Sequence, residues 1–281
     1  MASVLLVVHE ERPEAVAQAE SLAALLADDG HAVVRSDQVG AAVGEASEAL
    51  DLVVSLGGDG SILRAVDLLD GRPVPVLGVN HGELGYLAAV EPDDAHGAVV
   101  RTLDGEHDLQ ERMMLRVEVH REGGPDVPGT PEVVAHALNE VVVERAAGGQ
   151  TVRVGVSLDG EPFASYAADG LIAATPTGST AYAFSARGPI VDPLHRSIQL
   201  TPVSPHMLFD RTLVLDPDTE VGLEVLGRRA ATCTVDGRRV ADLAGGDRVA
   251  CTASDRVVRL VTFGDRGLRR LLSTRFGLAD R

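Results

Sequence analysis

Unbroken aliphatic runs, each too short to cross a bilayer, recur along the first hundred residues of this chain, with turns or helical-period segments between them. Val4 to Val8 is such a run and suits a strand buried on both faces. From Pro13 the spacing changes. Val16, Ala19, Leu22, Ala23 and Leu26 fall on one face of a helix that Gly30 would end. Ala32-Val33-Val34 and Leu52 to Leu56 read as further strands. The second of these leads at once into Gly57-Gly58-Asp59-Gly60-Ser61, after which Ile62, Leu63, Val66 and Leu69 recur at helical spacing. Val74 to Val79 is another strand. Strands and helices alternating in this way predict an open, mainly parallel α/β sheet over residues 1–108.

Beyond residue 108 the period shortens to two. Leu115 to Val119 alternates apolar and polar, as a strand with one wet face does. Residues 138–143, 152–158, 171–174, 213–215, 221–226, 232–235 and 257–262 are also strand-like. Asp159-Gly160 and Asp236-Gly237 are turn signals between them. No long amphipathic helix is visible between 110 and 260. Residues 109–262 therefore predict a mostly antiparallel β domain, and residues 263–281 a C-terminal helical segment, with a short helix over Leu268 to Phe276. Gly123 to Pro131 reads as a mobile loop rich in Gly and Pro. The expected fold class is a two-domain one, an α/β open sheet followed by an antiparallel β domain.

Composition narrows the chemistry. Hydrophobic residues make up 45 % of the 281 positions but aromatics only 3 %, so the core must be aliphatic. The formal net charge is −17, which argues against a general nucleic-acid binder, since that needs a cationic surface. All 25 basic residues are Arg, which excludes a Walker A lysine, a protein-kinase strand lysine and a Schiff-base lysine. Any grip on phosphates must come from backbone N–H groups, Arg or a metal ion. Cys233 and Cys251 form no C-x-x-C pair and read as buried free thiols of a reducing compartment. The first residues carry no basic stretch ahead of their apolar run, so the expectation is a cytoplasmic protein with no membrane partner.

Three constellations carry chemistry. The Gly57 to Gly60 turn sits between a strand and a helix, where glycine backbones can approach a phosphate and the helix N-terminus points at it. A carboxylate in such a turn repels an anion. Asp59 makes sense if it accepts a proton from an attacking hydroxyl or helps to hold Mg²⁺. The bland alternative is an ordinary capped turn. The second constellation is Asp169-Gly170 followed, after a strand, by Thr175-Pro-Thr-Gly-Ser-Thr-Ala-Tyr182. Its hydroxyls suit ribose, adenine edges or phosphate oxygens. A helix start at Gly178-Ser179 is the alternative, and the flanking glycines of a hydrolase nucleophile turn are missing. The third is Asn139-Glu140, a polar pair inside the strand expected over Leu138 to Val143, which is a candidate ligand contact or, as the stronger alternative on its own, an exposed strand position.

These three elements, in this order, resemble the NAD kinase family. Gly78-Val-Asn-His-Gly-Glu-Leu-Gly-Tyr-Leu87 and Phe184-Ser-Ala-Arg-Gly-Pro-Ile-Val191 resemble it too, so the likeness runs over roughly residues 52–240. The first turn is shared with lipid kinases and phosphofructokinases, whereas the Thr175 to Tyr182 block is specific. The resemblance implies transfer of a phosphoryl group from ATP to the 2′-hydroxyl of NAD, with Mg²⁺ as the divalent cation carried on ATP and no dedicated metal-ligand set. Polyphosphate is a second donor left open. Asp59 would act as general base or would position the hydroxyl or a metal. Gly57, Gly58 and Gly60 would contact substrate through their backbone, and Arg64 would reach a phosphate. Asn139 and Glu140 would bind the adenosine half of NAD and Asp169 would hydrogen-bond the nucleotide. Thr177 and the stretch Thr180, Ala181, Tyr182, Ala183, Phe184 and Ser185 would line the NAD pocket. Gln150 and Arg238 fall at variable substrate contacts. Arg187 stands where the family commonly has Gly. The family also implies a homodimer or homotetramer. Two other readings stay open here: a non-catalytic NAD-sensing module, and a lipid kinase of the diacylglycerol type.

Overall fold

A computed structural model describes residues 1–39, 50–82, 85–123, 130–148 and 150–264, together with 268, 269, 272, 273 and 277. The chain forms two compact units, residues 1–112 with 257–281, and residues 113–256. The chain passes between them within two long strands, β5 (Asp108–His120) and β16 (Arg248–Thr262).

The first unit is an α/β layer structure. Strands β1 (Ser3–Val8), β2 (Ala32–Arg35), β3 (Leu52–Gly57) and β4 (Val76–Asn80) pair in the order β2-β1-β3-β4, all parallel, and the end of β16 adds in parallel beside β4. Every residue of β3 and β4 is buried, which is why both read as mostly apolar runs, with Ser55 and Asn80 the polar members. Helix α1 (Pro13–Asp28) has proline in its first turn, buries Ala15, Ala19, Leu22 and Leu26, and gives way to Gly30 at φ 83°. A one-turn helix α2 (Ser36–Val39) follows β2. Helix α3 (Asp59–Leu69) begins directly after β3 and buries Ile62, Ala65, Val66 and Leu69. Helix α4 (Ala95–Leu103) completes the layer. One aliphatic core joins β1, β3, β4, α1, α4 and the end of β16, including Leu6, Leu22, Leu52, Leu77, Val99 and Val261. Burying a Leu or Val of this kind contributes about 1.5–3 kcal/mol each.

The second unit is a sandwich. One sheet holds β7 (Glu140–Arg145), β10 (Gly170–Ala174), β11 (Ile198–Val203), β12 (Leu213–Leu215), β14 (Ala231–Val235) and β15 (Arg238–Leu243), in the order β12-β11-β10-β7-β14-β15 and antiparallel throughout. The other holds β8 (Val152–Leu158), β9 (Glu161–Ala168), β13 (Val221–Val225) and the first part of β16, with β5 and β6 (Val133–Ala137) paired beside them. Their inner faces share a core that includes Leu115, Val154, Val221 and Val249 from one sheet and Val141, Leu171, Leu200 and Cys233 from the other. Among the described residues Tyr166 is the one aromatic in that core. Between 110 and 260 the described helical pieces are a 3₁₀ turn at Thr177–Thr180 and the one-turn helix α5 (Tyr182–Ser185).

The structure differs from the sequence reading at one site strand. Leu138 and Asn139 precede β7 in a bend, and Glu140 opens the strand. The backbone N–H groups of Leu138 and Asn139 are taken by a side chain and not by a neighbouring strand. The expected loop over Gly123 to Pro131 and the terminal helix over Leu268 to Phe276 fall mostly outside the described residues.

Candidate active site

The first constellation is built by the junction of β3 and α3. Gly57 ends the strand, and a Cβ there would stand 2.1 Å from the Ser61 hydroxyl oxygen, so only glycine fits. Gly58 caps the helix in an extended conformation without a side-chain hydrogen bond, which leaves the first N–H groups of the helix for solvent or ligand. At Gly58 and Gly60 an added Cβ would meet nothing within 4 Å. Packing therefore does not explain those two glycines, whereas the approach of a ligand does.

Asp59 is the first residue of α3. Its carboxylate accepts the backbone N–H groups of Tyr86 at 2.8 Å and Leu87 at 3.1 Å. The segment carrying them follows β4, where Gly78 is required because a Cβ would stand 2.6 Å from Ile62 Cδ1 and 2.9 Å from Ala88 Cα. The family-like stretch from Gly78 to Leu87 thus serves to seat Asp59.

Beside the turn lies an open concavity of about 550 Å³, lined by Val8, His9, Glu10, Glu11, Arg12, Gly58, Gly60, Ser61 and Arg64. Arg64 donates to Glu10 at 3.2 Å and to the Val8 carbonyl at 3.4 Å. Arg12 donates to the His81 carbonyl, and the His81 ring meets the Gln18 side-chain oxygen. Burial, then the nearby Arg12 guanidinium, holds the His81 imidazole below its usual range, toward the neutral form. Two guanidiniums and a helix N-terminus are the cationic elements here, offset by Glu10 and Glu11.

The second and third constellations come together in the second unit. Asp236 and Gly237 form the two-residue turn between β14 and β15, with φ 46° and 78°, as the Asp-Gly signal predicts. The Asp236 carboxylate accepts the backbone N–H groups of Leu138 at 2.7 Å, Asn139 at 2.8 Å and Glu140 at 3.0 Å. The opposite side of the same peptide is held by Thr175. Its hydroxyl donates to the Leu138 carbonyl at 2.5 Å and its N–H to the Asn139 carbonyl at 2.9 Å. Gly178 packs on that peptide so tightly that a Cβ would lie 2.1 Å from the Asn139 oxygen. Gln199, buried in β11, donates to the Thr175 carbonyl.

Glu140 is 7 % exposed and its Oε2 has no partner. Burial, and then the neighbouring Asp236 charge, push its carboxyl up to about 7, against the Tyr182 N–H that favours the anion. Burial also raises Asp236, opposed by the three N–H groups it accepts. Asp169 precedes β10 and pairs with Arg145 at 3.0 Å. Tyr182 is close enough to feel Glu144, Asp169 and Arg145, although burial is the first cause of its raised hydroxyl. Tyr182 and Phe184 are exposed, while Ala183 is packed in a small core with Val142, Ile172 and Ala174. Ala183 can meet a ligand only through its backbone.

Among the expected residues, Gly57, Gly58, Asp59, Gly60 and Arg64 are brought together in the first unit. Asn139, Glu140, Thr177 and the stretch Thr180 to Ser185 are brought together in the second, with Asp169 near Tyr182 and Arg238 beside Asp236. Gln150 stands exposed just before β8, in the other sheet, and no shared strand joins it to them. Sequence reasoning read Thr175 and Gly178 only as part of the hydroxyl-rich block and Gly85 only as part of the family-like stretch, and it left Asp236 off the site. Asp236 was visible only as a turn former, and its partners lie 96 to 98 positions away.

Family models match both parts of the chain: the ATP-NAD kinase N-terminal domain over residues 4–107 and the ATP-NAD kinase C-terminal domain over residues 138–263. An NAD kinase of Leifsonia xyli is 44 % identical over 79 % of this chain and 73 % of its own. NAD kinase 2 of Streptomyces coelicolor is 35 % identical over 98 % of this chain and 94 % of its own. A crystal structure of yeast NADH kinase with NADH shares the fold at a TM-score of 0.91 and 21 % identity, over 100 % of this chain and 89 % of that one. An Archaeoglobus fulgidus NAD kinase in complex with ATP superposes at 0.72 with 25 % identity, over 98 % and 97 %.

Proposed function

The chain belongs to the NAD kinase family, and from that membership we propose that it transfers the γ-phosphoryl group of ATP to the 2′-hydroxyl of the adenosine ribose of NAD. The products are NADP and ADP, so the enzyme supplies NADP and sets the balance of the two dinucleotide pools. It is a phosphotransferase with an alcohol acceptor. The observation that carries the reading is Asp59, seated at a helix start beside two glycines whose free faces open to solvent.

In the reaction a bond forms between the ribose 2′-oxygen and the γ-phosphorus, while the bond to the β–γ bridging oxygen breaks. The hydroxyl proton leaves late, because the transition state is loose. Asp59 orients the hydroxyl and receives that proton. A carboxylate held by two N–H groups is well fixed in place, and orientation is its main contribution. Gly58, Gly60 and the first N–H groups of α3 grip phosphate oxygens, and Arg64 adds a guanidinium. With no lysine in the chain, no ammonium shares this task.

Among the described residues, no group of three or more His, Cys, Asp or Glu side chains could hold a metal. A cation that arrives on the triphosphate keeps most of its waters and needs only one or two carboxylates from the protein. Mg²⁺ is the expected ion and would neutralise phosphate charge when bound, and a carboxylate that held it would be Asp59, as the alternative to its role as proton acceptor. Asn139 and Glu140 bind the adenosine half of NAD, Asp169 hydrogen-bonds the nucleotide, and Thr177 and Thr180 to Ser185 line the pocket. Gln150 and Arg238 complete the proposed substrate contacts.

The diacylglycerol-type lipid kinase reading is set aside, since the family match covers both units. No described helix is long and apolar enough to cross a membrane. Two buried free thiols support a reducing cytoplasm. Exposed Phe163, Leu208, Phe209 and Val214 support a homodimer or homotetramer. The test is NADP formation from NAD with ATP or polyphosphate, with and without Mg²⁺. ATP and Mg²⁺ should give NADP. No NADP from any donor, with NAD still raising the melting temperature, would replace this reading with a non-catalytic NAD-sensing module.

A further inference from the structure

The Asn139-Glu140 peptide is immobilised from two sides by residues outside the substrate contacts proposed above. Backbone N–H groups at three consecutive positions, Leu138, Asn139 and Glu140, converge on one carboxylate, that of Asp236. Two consecutive carbonyls, those of Leu138 and Asn139, are held by Thr175 through its hydroxyl and its N–H. Charge-assisted bonds to a carboxylate are the stronger kind. The peptide so held belongs to no ladder at Leu138 and Asn139, so nothing regular would otherwise hold it.

A turn residue needs no such arrangement. Asn or Gly satisfies the backbone of this turn equally well, without bringing a second carboxylate close to Glu140. Glu140 already bears the desolvation cost of its own burial, and Asp236 adds like-charge repulsion to it. A purely structural design would avoid that pairing. The gain is a Glu140 whose backbone is fixed while its Oε2, buried and without a partner, stays available for a donor from outside the protein.

We propose that Asp236 and Thr175 are positioning residues for NAD, which clamp the Leu138–Glu140 peptide so that Asn139 and Glu140 meet the dinucleotide at fixed geometry. The inference rests on the reading that Asn139 and Glu140 bind NAD. Asp236→Asn keeps an acceptor for the Asn139 and Glu140 N–H groups, which share Oδ1, but turns an NH₂ group toward the Leu138 N–H. Thr175→Val removes the hydroxyl from the other side, and with it the acceptor of the Gly178 N–H. All the bonds of the clamp lie within the second unit.

The test measures KM for NAD and for ATP, kcat, melting temperature and direct NAD binding by calorimetry for the full chain and both variants. Loss of one strong hydrogen bond predicts a rise of about tenfold in KM and Kd for NAD. KM for ATP and kcat should move by less than about threefold, since uniform binding of one substrate is what is lost. Thr175→Ser, which restores a hydroxyl, should recover NAD affinity to within about twofold of the parent. The proposal is overturned if folded variants bind NAD as the parent does. It is equally overturned if the two KM values and kcat deteriorate together in step with the melting temperature, the pattern of a merely structural role, or if Thr175→Ser is as impaired as Thr175→Val. If Asp236→Asn does not fold, the Thr175 pair decides the question alone. An inactive parent chain would instead defeat the kinase reading, and calorimetric NAD binding would still test the clamp.

Discussion

Gly85 lies against Asp59 so closely that a Cβ on it would stand 2.2 Å from Oδ1 and 2.8 Å from Cγ of the carboxylate. The next two residues then donate their N–H groups to that carboxylate. The position of the reactive group in α3 is thus set by a segment beyond β4.

Gly85→Ala should therefore act as an indirect lesion of Asp59. The carboxylate would have to shift by more than an ångström, which is expected to lower kcat by about 100-fold while the protein remains folded. Steady-state NADP formation with a parallel melting curve checks this. Unchanged kcat would show that Asp59 needs no such placement.

Asp59→Asn keeps the size of the side chain but replaces an acceptor oxygen by NH₂ against two N–H donors, and removes the proton acceptor. Turnover should fall by roughly 10²–10⁴-fold. Calorimetric Kd for NAD should stay within a few-fold, because the dinucleotide contacts proposed here lie mostly in the second unit. Near-normal turnover would remove Asp59 from the chemistry.

The raised carboxyl of Glu140 makes a stability prediction with a definite sign. Its folded-state value, about 7, is above that of the unfolded chain, so the folded state holds the extra proton between the ordinary carboxylate range and neutrality. Stability should decline as pH rises through that window, because the buried group must then ionise beside Asp236. Glu140→Gln should flatten this decline. Melting temperatures of both forms from pH 5 to pH 8 test it, and parallel curves would count against the buried proton.

Arg187 sits at φ 66° just after helix α5, its N–H bonded to the Phe184 carbonyl. This left-handed geometry is one that glycine adopts without strain, as expected from the family resemblance at this position. Arg187→Gly should stabilise the fold by about 0.5–1 kcal/mol, the strain relieved being partly offset by the freer unfolded chain. The adjacent Gly188→Ala should do the opposite, since a Cβ there would lie 2.9 Å from the Ala183 oxygen. Chemical denaturation of the two variants gives both signs in one experiment.

The parallel strands of the first unit were legible because each is buried on both faces and reads as one apolar run, as Leu52 to Leu56 does. The turn after it was legible because its residues are adjacent in sequence. Strand β11 was hidden by Gln199 and Thr201, polar residues buried at positions where the pattern demands apolar ones. Strand β9 was hidden by exposed positions along an edge, Glu161 to Phe163 among them. Asn139 was placed in a strand because its flanks are apolar, and its capture by Asp236 had no local sign. Bonds across nearly a hundred positions depend on topology, which spacing alone does not report.

That same capture has a consequence for how the protein comes to function during folding. The peptide bearing Asn139 and Glu140 is anchored by chain 37 positions later at Thr175 and 98 positions later at Asp236. Loop closures of that length form late and slowly. A nascent or partly unfolded chain lacking the β14–β15 hairpin would hold the peptide from the Thr175 side alone. Full affinity for the dinucleotide would then wait until that hairpin docks, and NAD, by binding the completed sheet more tightly, would draw late intermediates toward the finished enzyme.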